Sequence, residues 1–219
     1  NITASSDGFT IKVFGKSAHT SQPQDGLDAR NIASHLMVSL NSIISKNLDP
    51  REAATFSIGR IQGGRSNNIV PDYVELGGMI RSTSKESRNI IKSRLETLSK
   101  DLVASFGGRS EIEIRPGYSS IVNDGDLYNK LDRLFKANYK QLVKGIKDDF
   151  REEDLSNYIL AHKPLLTADD FGYLAEKVPS LYYMIGTGDY GPQHSPKFYV
   201  NEDYIKLASR TIALAVLGL

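Results

Sequence analysis

The sequence predicts a mixed α/β protein: an α+β, ferredoxin-like βαββαβ domain followed by part of an α/β domain. In the first half, alternating apolar residues and apolar residues at three- and four-residue steps follow one another as strand, helix, strand, strand, helix, strand. In the second half, a short apolar run lies between helical patterns, which is typical of an α/β layer. We therefore expect a first domain over 8–116 and a second over 117–219.

Each element of the first half has its own apolar pattern. A strand is predicted up to Gly15, a helix over 28–45, a second strand before the break at 63–64, a third strand over 69–81, then a helix and a fourth strand. The apolar residues that define these elements are, in chain order, Phe9, Ile11 and Val13; Ala29, Ile32, Ala33, Leu36, Leu40, Ile43 and Ile44; Ala54, Phe56 and Ile58; Val74, Leu76 and Ile80; Ile91, Leu95, Leu98 and Leu102; and Ile112 and Ile114. Thr83 and Glu86 have the spacing of a capping box at the start of the second helix.

The second half contains one predicted strand. A helix is expected from about Leu127, a charged and irregular stretch over 136–163, a buried strand at Leu181–Ile185, and a closing helix over 205–216. Because one or two strands cannot form a sheet that is covered on both faces, we expect the remainder of this domain to precede Asn1.

Composition excludes several classes of function. A net charge of +1 provides no basic field for nucleic acid, and the aromatic pattern of an RNA-binding sandwich is absent. No apolar run reaches about 18 residues and no signal peptide is recognisable, so we expect no membrane contact and a cytoplasmic location. Zero cysteines exclude disulfides. Gly15-Lys16-Ser17 is not a phosphate-binding loop, because Thr10 stands where that motif needs glycine.

Strand directions separate the candidate residues into two groups. If the first strand runs up, the loop with His19 and the loop over 63–68 lie at the upper end of the sheet. Arg81 then lies at the lower end, where the chain enters and leaves the domain. At ~3.3 Å per residue, the steps from Val70 to Arg81 correspond to on the order of 35 Å. One pocket in a single copy is therefore not expected to hold all three groups.

Two of the four histidines have positions that suit chemistry. His19 lies among small residues in a loop, where it is either an incidental surface residue or a wet imidazole that is free to point. His194 follows the predicted buried strand, and ligands gather at the carboxyl ends of strands in α/β sheets, which suits a metal ligand or an acid-base group. His35 lies beside the apolar face of a helix and is interpreted as structural, and His162 as incidental.

The other polar candidates each have a structural alternative. Asn68 is either functional or simply a turn residue. Arg81 projects to the open side of the predicted sheet, where it either binds a carboxylate in a two-pronged manner or forms a surface salt bridge. Asp169-Asp170 could be a pair of metal carboxylates, but Thr167 and Asp170 have the spacing of a capping box before Phe171, which favours helix capping.

Six short motifs in fixed order carry a resemblance to a known family. They are Gly15-Lys16-Ser17-Ala18-His19 with Pro23 and Asp28; Gly63-Gly64 through Asn68-Ile69-Val70-Pro71-Asp72; Gly78-Met79-Ile80-Arg81; Asp169-Asp170-Phe171; Val178-Pro179 to Gly186; and His194-Ser195-Pro196-Lys197-Phe198. Together they resemble the C-terminal part of the dinuclear-metal amidohydrolases, the aminoacylase and metallo-carboxypeptidase family. The branch that they resemble contains hippurate hydrolase, N-acetyl-diaminopimelate deacetylase and the auxin-amino-acid hydrolases.

The resemblance implies a lid and dimerisation domain inserted into an α/β, zinc-peptidase-like catalytic domain. It implies that His19 is a catalytic residue that stabilises the oxyanion in the site of the neighbouring subunit of a homodimer. Asn68 is implied to act from the same side, and Arg81 to bind the substrate carboxylate. Gly186 and Thr187 match a loop that contacts substrate.

The implied activity is metal-dependent hydrolysis of the amide bond in N-acyl amino acids or related small amides. Two divalent ions, zinc or manganese, are implied to activate the attacking water, and His194 matches a metal ligand. The other ligands and the glutamate base belong to the part before the lid, so we expect this chain alone to be inactive and to hold no dinuclear centre. The alternative is a non-catalytic dimerisation or ligand-binding module, as a fragment or a degenerate relative.

Overall fold

The computed structural model describes residues 2–146, 163–187, 191 and 195–218. The chain folds into two compact units. The first comprises Asn1–Val122 with Pro164–Lys177, and the second comprises Asn123–Lys163 with Val178–Leu219. Each unit is described separately below.

The first unit is built on a four-stranded antiparallel sheet with two long helices. Its strands are β1 (Ser5–Phe14), β2 (Ala18–His19), β3 (Ala54–Gly63), β4 (Ile69–Val70), β5 (Tyr73–Ser82) and β6 (Arg109–Pro116). Its helices are α1 (Ala29–Leu40), α2 (Ile43–Asn47) and α3 (Lys85–Ser105). The main sheet has the order β3-β5-β1-β6, and β2 pairs with β4 in a separate two-stranded ladder. This order is that of a ferredoxin-like sandwich, which confirms the predicted fold.

One face of the main sheet packs against α1 and α3. Phe9, Ile11 and Val13 of β1 are fully buried, as their alternation predicted, and Phe9 stacks on Phe56 of β3 with ring centroids 4.9 Å apart. The buried core residues supplied by the other elements are Ala29, Ile32, Ala33, Leu36, Leu40, Ile43, Val74, Leu76, Ile80, Ile91, Leu95 and Val103. Gly107, at φ +82°, follows α3 in the left-handed region, where glycine is favoured.

Two predicted elements are divided in the structure. The helix expected over 28–45 breaks after Leu40, where Asn41 and Ser42 donate side-chain hydrogen bonds to the carbonyls of Met37 and Ser39. Such bonds compete with the helical ladder. The strand expected over 69–81 divides into β4 and β5 around Pro71, which has no N–H group to donate to a ladder.

The helix cap predicted at Thr83 was wrong by one residue. The N-cap of α3 is Ser84, whose side chain accepts a hydrogen bond from the backbone N–H of Ser87 at 3.2 Å. Thr83 instead donates from its hydroxyl to the carbonyl of Ala53 at 3.2 Å. The cap residue and the N–H group that it binds are three residues apart, as predicted, but the pair is Ser84 and Ser87.

A buried charged cluster lies at the start of β1. Asp7 is fully buried, and its two oxygens accept hydrogen bonds from Arg88 at 2.6 and 2.7 Å. Lys92 Nζ lies 3.0 Å from Oδ2, the oxygen that Arg88 Nε also binds. The N–H of Gly117 donates to the same carboxylate at 3.2 Å. Burial raises the pKa of Asp7, but the hydrogen bonds from Arg88 and Lys92 outweigh it, so this pKa lies below its ordinary value of 3.8.

The segment 164–177 belongs to the first unit. Leu165 bridges Thr3, and Ala4 donates its N–H to the carbonyl of Thr167 at 2.9 Å. A short helix, α5 (Phe171–Ala175), follows. The capping box predicted from Thr167 and Asp170 was wrong, because the N–H of Phe171 is bound at 2.9 Å by Asp169. A capping role therefore falls to the first residue of the Asp169-Asp170 pair.

The second unit contains α4 (Gly125–Val143) and α6 (Asp203–Gly218), which pack on each other. Arg210 of α6 donates to the carbonyls of Leu142 and Lys144 at 2.8 Å each, a favourable place for a cation because carbonyls are unpaired at a helix C-terminus. None of the helices in the described ranges combines the length and the apolarity that crossing a membrane requires.

The buried strand predicted at Leu181–Ile185 is not a strand, and its residues are half-buried or exposed. The side chain of Asn123 holds the backbone of Tyr182 on both sides: Asn123 Nδ2 donates to its carbonyl, and its N–H donates to Asn123 Oδ1, at 2.8 Å each. An amide side chain thus takes the place that a neighbouring strand would occupy.

Candidate functional site

The β2–β4 ladder brings two predicted site residues together. His19 pairs with Ile69, Ala18 pairs with Val70, and the N–H of Thr20 donates to the carbonyl of Asn68 at 3.1 Å. Both His19 and Asn68 are exposed. Residues that lie 49 positions apart in sequence therefore form one polar edge at the end of the sheet where β1 stops.

Gly15 closes the base of the loop that carries His19. Lys16 and Leu27 exchange backbone hydrogen bonds of 2.8 Å, which ties the two ends of the loop together. A Cβ atom on Gly15 would lie 2.1 Å from the carbonyl oxygen of Leu27. The glycine that opens the His19 motif is thus required by close backbone approach, since any side chain would push Leu27 away.

We predict that Gly15→Ala loosens this loop and destabilises the first unit by roughly 1–3 kcal/mol, the usual cost of overpacking. Hydrogen exchange at the amides of Lys16 and Leu27 should become faster. The matched control is Gly59→Ala, since a Cβ there meets no atom within 4 Å. Equal exchange rates in both variants would show that the close approach at Gly15 does not hold the loop.

The ring of His19 is held by Ser21. The Oγ atom of Ser21 lies 2.7 Å from His19 Nδ1, and the backbone N–H of Ser21 donates to the same nitrogen at 3.2 Å. The carbonyl of His19 accepts from the N–H of Gln22 at 2.8 Å. No contact of His19 Nε2 with another polar group is seen among the described residues. The Nε2 side of the ring is thus available to an external group.

The side chain of Asn68 is held in a comparable way. Ser66 Oγ lies 2.6 Å from Asn68 Oδ1, at hydrogen-bond distance. Within the described part of the chain, Asn68 Nδ2 has no partner, so its two N–H groups are available as donors. The edge formed by β2 and β4 therefore presents potential donors from two side chains.

Arg81 lies at the opposite end of the sheet. It pairs with Ser6 of β1 and with Thr55 of β3, and the eight steps along β5 that separate it from Tyr73 correspond to about 26 Å. Its half-buried guanidinium donates from Nη1 to the carbonyl of Leu166 at 3.1 Å. One nitrogen of the group is thus used within the unit, and the others can serve another acceptor.

The remaining predicted site residues lie outside this unit or outside the described chain. Gly186 and Thr187 are in the second unit, in a segment with no regular secondary structure. His194, predicted as a metal ligand, and His162 both fall outside the described residues. Across the ranges 2–146, 163–187, 191 and 195–218, no three histidine or carboxylate side chains are arranged to hold a metal ion. The described residues alone do not fit a dinuclear centre.

A surface depression of about 580 Å³ lies elsewhere on the first unit, between α3 and β6. Its lining includes Glu96, Lys100, Asp101 and Arg109, and none of the predicted site residues. Charges of both signs alternate there, which is typical of an ordinary solvated surface. The β2–β4 edge and the surroundings of Arg81 remain the candidate site.

Comparison with known proteins identifies the first unit. A family model described as the peptidase M20 dimerisation domain matches residues 3–106. The N-acetyldiaminopimelate deacetylase of Brevibacillus brevis is 31% identical over 213 residues, which cover 97% of this chain and 52% of that protein. Residues 3–106 belong to the M20 dimerisation-domain family.

A second deacetylase is also similar to this chain. An N-acetyl-L-cysteine deacetylase of Bacillus subtilis is 28% identical over 209 residues, covering 95% of this chain and 46% of the relative. The chain spans about half the length of the curated relatives that it matches.

Solved structures agree on the fold. The Bacillus subtilis protein YXEP, described as a dinuclear metal-binding peptidase of the M20 family, superposes with a TM-score of 0.74 at 25% identity, over 99% of this chain and 50% of that one. A protein from methicillin-resistant Staphylococcus aureus, described as a proposed aminohydrolase, superposes with a TM-score of 0.84 at 24% identity. The superposition covers 99% of this chain and 52% of that one. The second likeness concerns the fold alone.

The sequence analysis did not identify three features that hold this region in place. Ser21 and Ser66 hold the side chains of His19 and Asn68, and the charged cluster holds Asp7 next to the ends of β1 and β6. The serines lie two residues from their partners, which is a detectable local signal. Asp7 precedes the first alternating apolar residue, and its cationic partners are 81 and 85 positions away, so no local pattern identified it.

Proposed function

We propose that this chain is part of a metal-dependent amidohydrolase that cleaves the amide bond of N-acyl amino acids or related small amides. In this proposal, residues 8–116 are the lid and dimerisation domain, and 117–219 are the C-terminal part of the catalytic domain. The observation that supports it most directly is the β2–β4 pairing, which joins His19 to Asn68 at the end of the sheet remote from Arg81. The deacetylase relatives support the choice of substrate class.

His19 and Asn68 act together as hydrogen-bond donors. Both side chains are exposed on one edge, and the Nε2 side of His19 and the Nδ2 group of Asn68 face no protein acceptor in the described ranges. Donors that are already in place stabilise the negative charge that develops on a carbonyl oxygen during attack by water. His19 is the catalytic residue of this pair, and Asn68 assists in binding.

Arg81 binds the carboxylate of the substrate. Its guanidinium has five N–H donors, of which one is engaged by Leu166, so a two-pronged contact with a carboxylate remains available. Since about 26 Å of β5 separates Arg81 from the His19 end, one copy cannot bring both groups to a small substrate. The site is therefore composite, with His19 and Asn68 contributed by the partner in a homodimer.

The metal chemistry depends on residues beyond those described. In the proposal, the site holds two divalent ions, zinc or manganese, and His194 would be one of the metal ligands. When bound, these ions would supply an activated water. Gly186 and Thr187 contact the substrate. In this proposal the chain alone is inactive, because the resemblance implies that the other metal ligands and the glutamate base belong to the part before the lid.

The test is an amide hydrolysis assay with N-acetyl amino acids and added zinc or manganese. It is applied to the longest natural protein that contains these 219 residues, and in parallel to the 219-residue chain. Sedimentation of the chain measures dimerisation separately. Dimers without hydrolysis by the long protein would favour the rival, a dimerisation module without catalysis, which is the reading suggested by the description of the matching family model.

We predict that Arg81→Ala in the long protein raises KM for an N-acetyl amino acid by about 10- to 150-fold, the value of a hydrogen bond to a charged group. The matched substrate is the same N-acetyl amino acid with its carboxylate converted to a carboxamide. Because it lacks the carboxylate, its KM should change little. An equal rise for both substrates would mean that Arg81 acts through Leu166 and the local backbone, and would contradict the binding role.

A further inference from the structure

The contacts of His19 Nδ1 decide which ring nitrogen carries the proton. A backbone N–H is a donor only, and that of Ser21 points to His19 Nδ1 at 3.2 Å. Nδ1 must therefore be the acceptor, since a proton on it would face the proton of Ser21. The hydroxyl of Ser21, 2.7 Å from the same nitrogen, then acts as a second donor. In a neutral imidazole that accepts at Nδ1, the proton resides on Nε2.

We propose that Ser21 is a positioning residue that fixes His19 as the Nε2–H tautomer and directs this N–H away from the loop. The inference rests on the proposed function, in which His19 Nε2 is the donor to the developing oxyanion. The opposite tautomer would present a lone pair to the oxyanion at this edge, which would repel it. Ser21 thereby sets the chemical character of the catalytic group without touching the substrate.

The backbone around the ring leaves Ser21 little freedom to move away. The N–H of Thr20 is held by Asn68, and the carbonyl of His19 is held by Gln22 at 2.8 Å. Ser21 lies between these two anchored positions, in the turn that follows β2. Its N–H and its hydroxyl therefore reach the same nitrogen from one short, tethered segment, so the arrangement is preorganised before any ligand arrives.

The primary test is nitrogen NMR of the histidine rings in the 219-residue chain, with the His19 signals assigned from a His19→Gln variant. The wild-type chain should show an unprotonated, hydrogen-bonded Nδ1 and a protonated Nε2. In Ser21→Ala the signals should shift toward those of a free peptide of residues 16–23, and Ser21→Thr should restore them. Ser34→Ala is the matched control, because the exposed hydroxyl of Ser34 donates to the carbonyl of Arg30 within α1.

A protonated Nδ1, or wild-type signals equal to those of the free peptide, would overturn the proposal. This outcome does not depend on activity, so it is distinguishable from failure of the proposed function. In the long protein, Ser21→Ala should lower kcat about 3- to 10-fold, as loss of one ordinary hydrogen bond predicts. KM should be nearly unchanged and Ser21→Thr should recover the rate. A change in KM alone would contradict positioning of a catalytic donor.

Discussion

Replacement of His19 by alanine is expected to lower kcat by about 10²- to 10³-fold in the long protein, or roughly 2.7–4 kcal/mol, the usual effect of removing one oxyanion donor. The reason is geometric. The ring is tethered at Nδ1 by Ser21, so its Nε2–H is preorganised to donate where negative charge develops. Steady-state kinetics with an N-acetyl amino acid measures this effect. Unchanged turnover would refute the catalytic assignment.

His35→Ala is the matched control for this variant. His35 is the other histidine in the described ranges, and it is exposed on α1 with its ring 5.1 Å from that of Phe106. It lies outside the proposed site, so activity should remain at the wild-type level. A comparable loss in both variants would indicate a general effect on the fold.

Mixing the two impaired variants, at a substrate concentration well below the KM of Arg81→Ala, tests whether the site is shared between subunits. In a dimer that contains one His19→Ala and one Arg81→Ala subunit, one composite site has both native residues. An equal mixture should therefore recover about one quarter of the wild-type activity, since half of randomly assorted dimers carry one intact site out of two. If both residues act within one subunit, the mixture will show only the residual activity of the separate variants.

Replacement of Asp7 by asparagine should destabilise the first unit by about 3–5 kcal/mol, the typical cost of breaking a buried ion pair by removing one partner. Asp7 is fully buried, and the side chains of Arg88 and Lys92 are only 14% and 22% exposed. Without the carboxylate, these two cations face each other across a largely buried position. Urea unfolding, with hydrogen exchange at the β1 amides to localise the change, measures the loss.

The same cluster predicts how stability depends on pH. Because the pKa of Asp7 is lowered in the folded chain, its contribution is present above the unfolded value of 3.8 and is lost as pH falls below it. The difference in unfolding free energy between the wild type and Asp7→Asn should therefore shrink in acid below that value. A difference that is independent of pH in this range would show that the charge of Asp7 is not responsible.

Two further variants isolate the buried charge. Asp49→Asn removes a carboxylate that pairs with Arg51 at 2.6 Å on the surface, and it should leave the unfolding midpoint unchanged because such pairs are screened by water. Joint replacement of Asp7, Arg88 and Lys92 by apolar residues of similar size should recover much of the loss, since apolar packing can replace a buried ion cluster. If the triple variant is as unstable as Asp7→Asn, burial of unpaired charge is not the cause.

The local apolar pattern was sufficient to predict the ferredoxin-like fold, because the core residues alternate or recur at helical spacing within single elements. Phe9, Ile11 and Val13 define β1 without reference to any distant residue, and the strand directions that follow from this order already separate His19 from Arg81. The same local rule failed at Leu181–Ile185. There the backbone N–H and C=O groups of Tyr182 form hydrogen bonds with the side chain of Asn123, about 60 positions away. No sequence periodicity predicts such a partner.

The sequence proposes which residues form the candidate site, but it does not specify the geometry that holds them. The resemblance selected His19 and Asn68, and the β2–β4 pairing between them depends on how two separate loops fold. The hydrogen bond from Ser21 to His19 requires one particular side-chain orientation, which sequence spacing permits but does not specify. Gly15 is explained only by the 2.1 Å separation from the Leu27 carbonyl that a Cβ atom would have.

The register between β1 and β6 has a consequence for how such proteins evolve. Asp7 lies opposite Pro116, so the segment that runs from β1 to β6 begins and ends on neighbouring strands, about 4.8 Å apart. A module whose two junctions are so close can be gained, exchanged or deleted in one event, because the host need only bridge a gap the width of one strand. The β1–β6 segment therefore has the geometry of a module that can be inserted or removed as one piece.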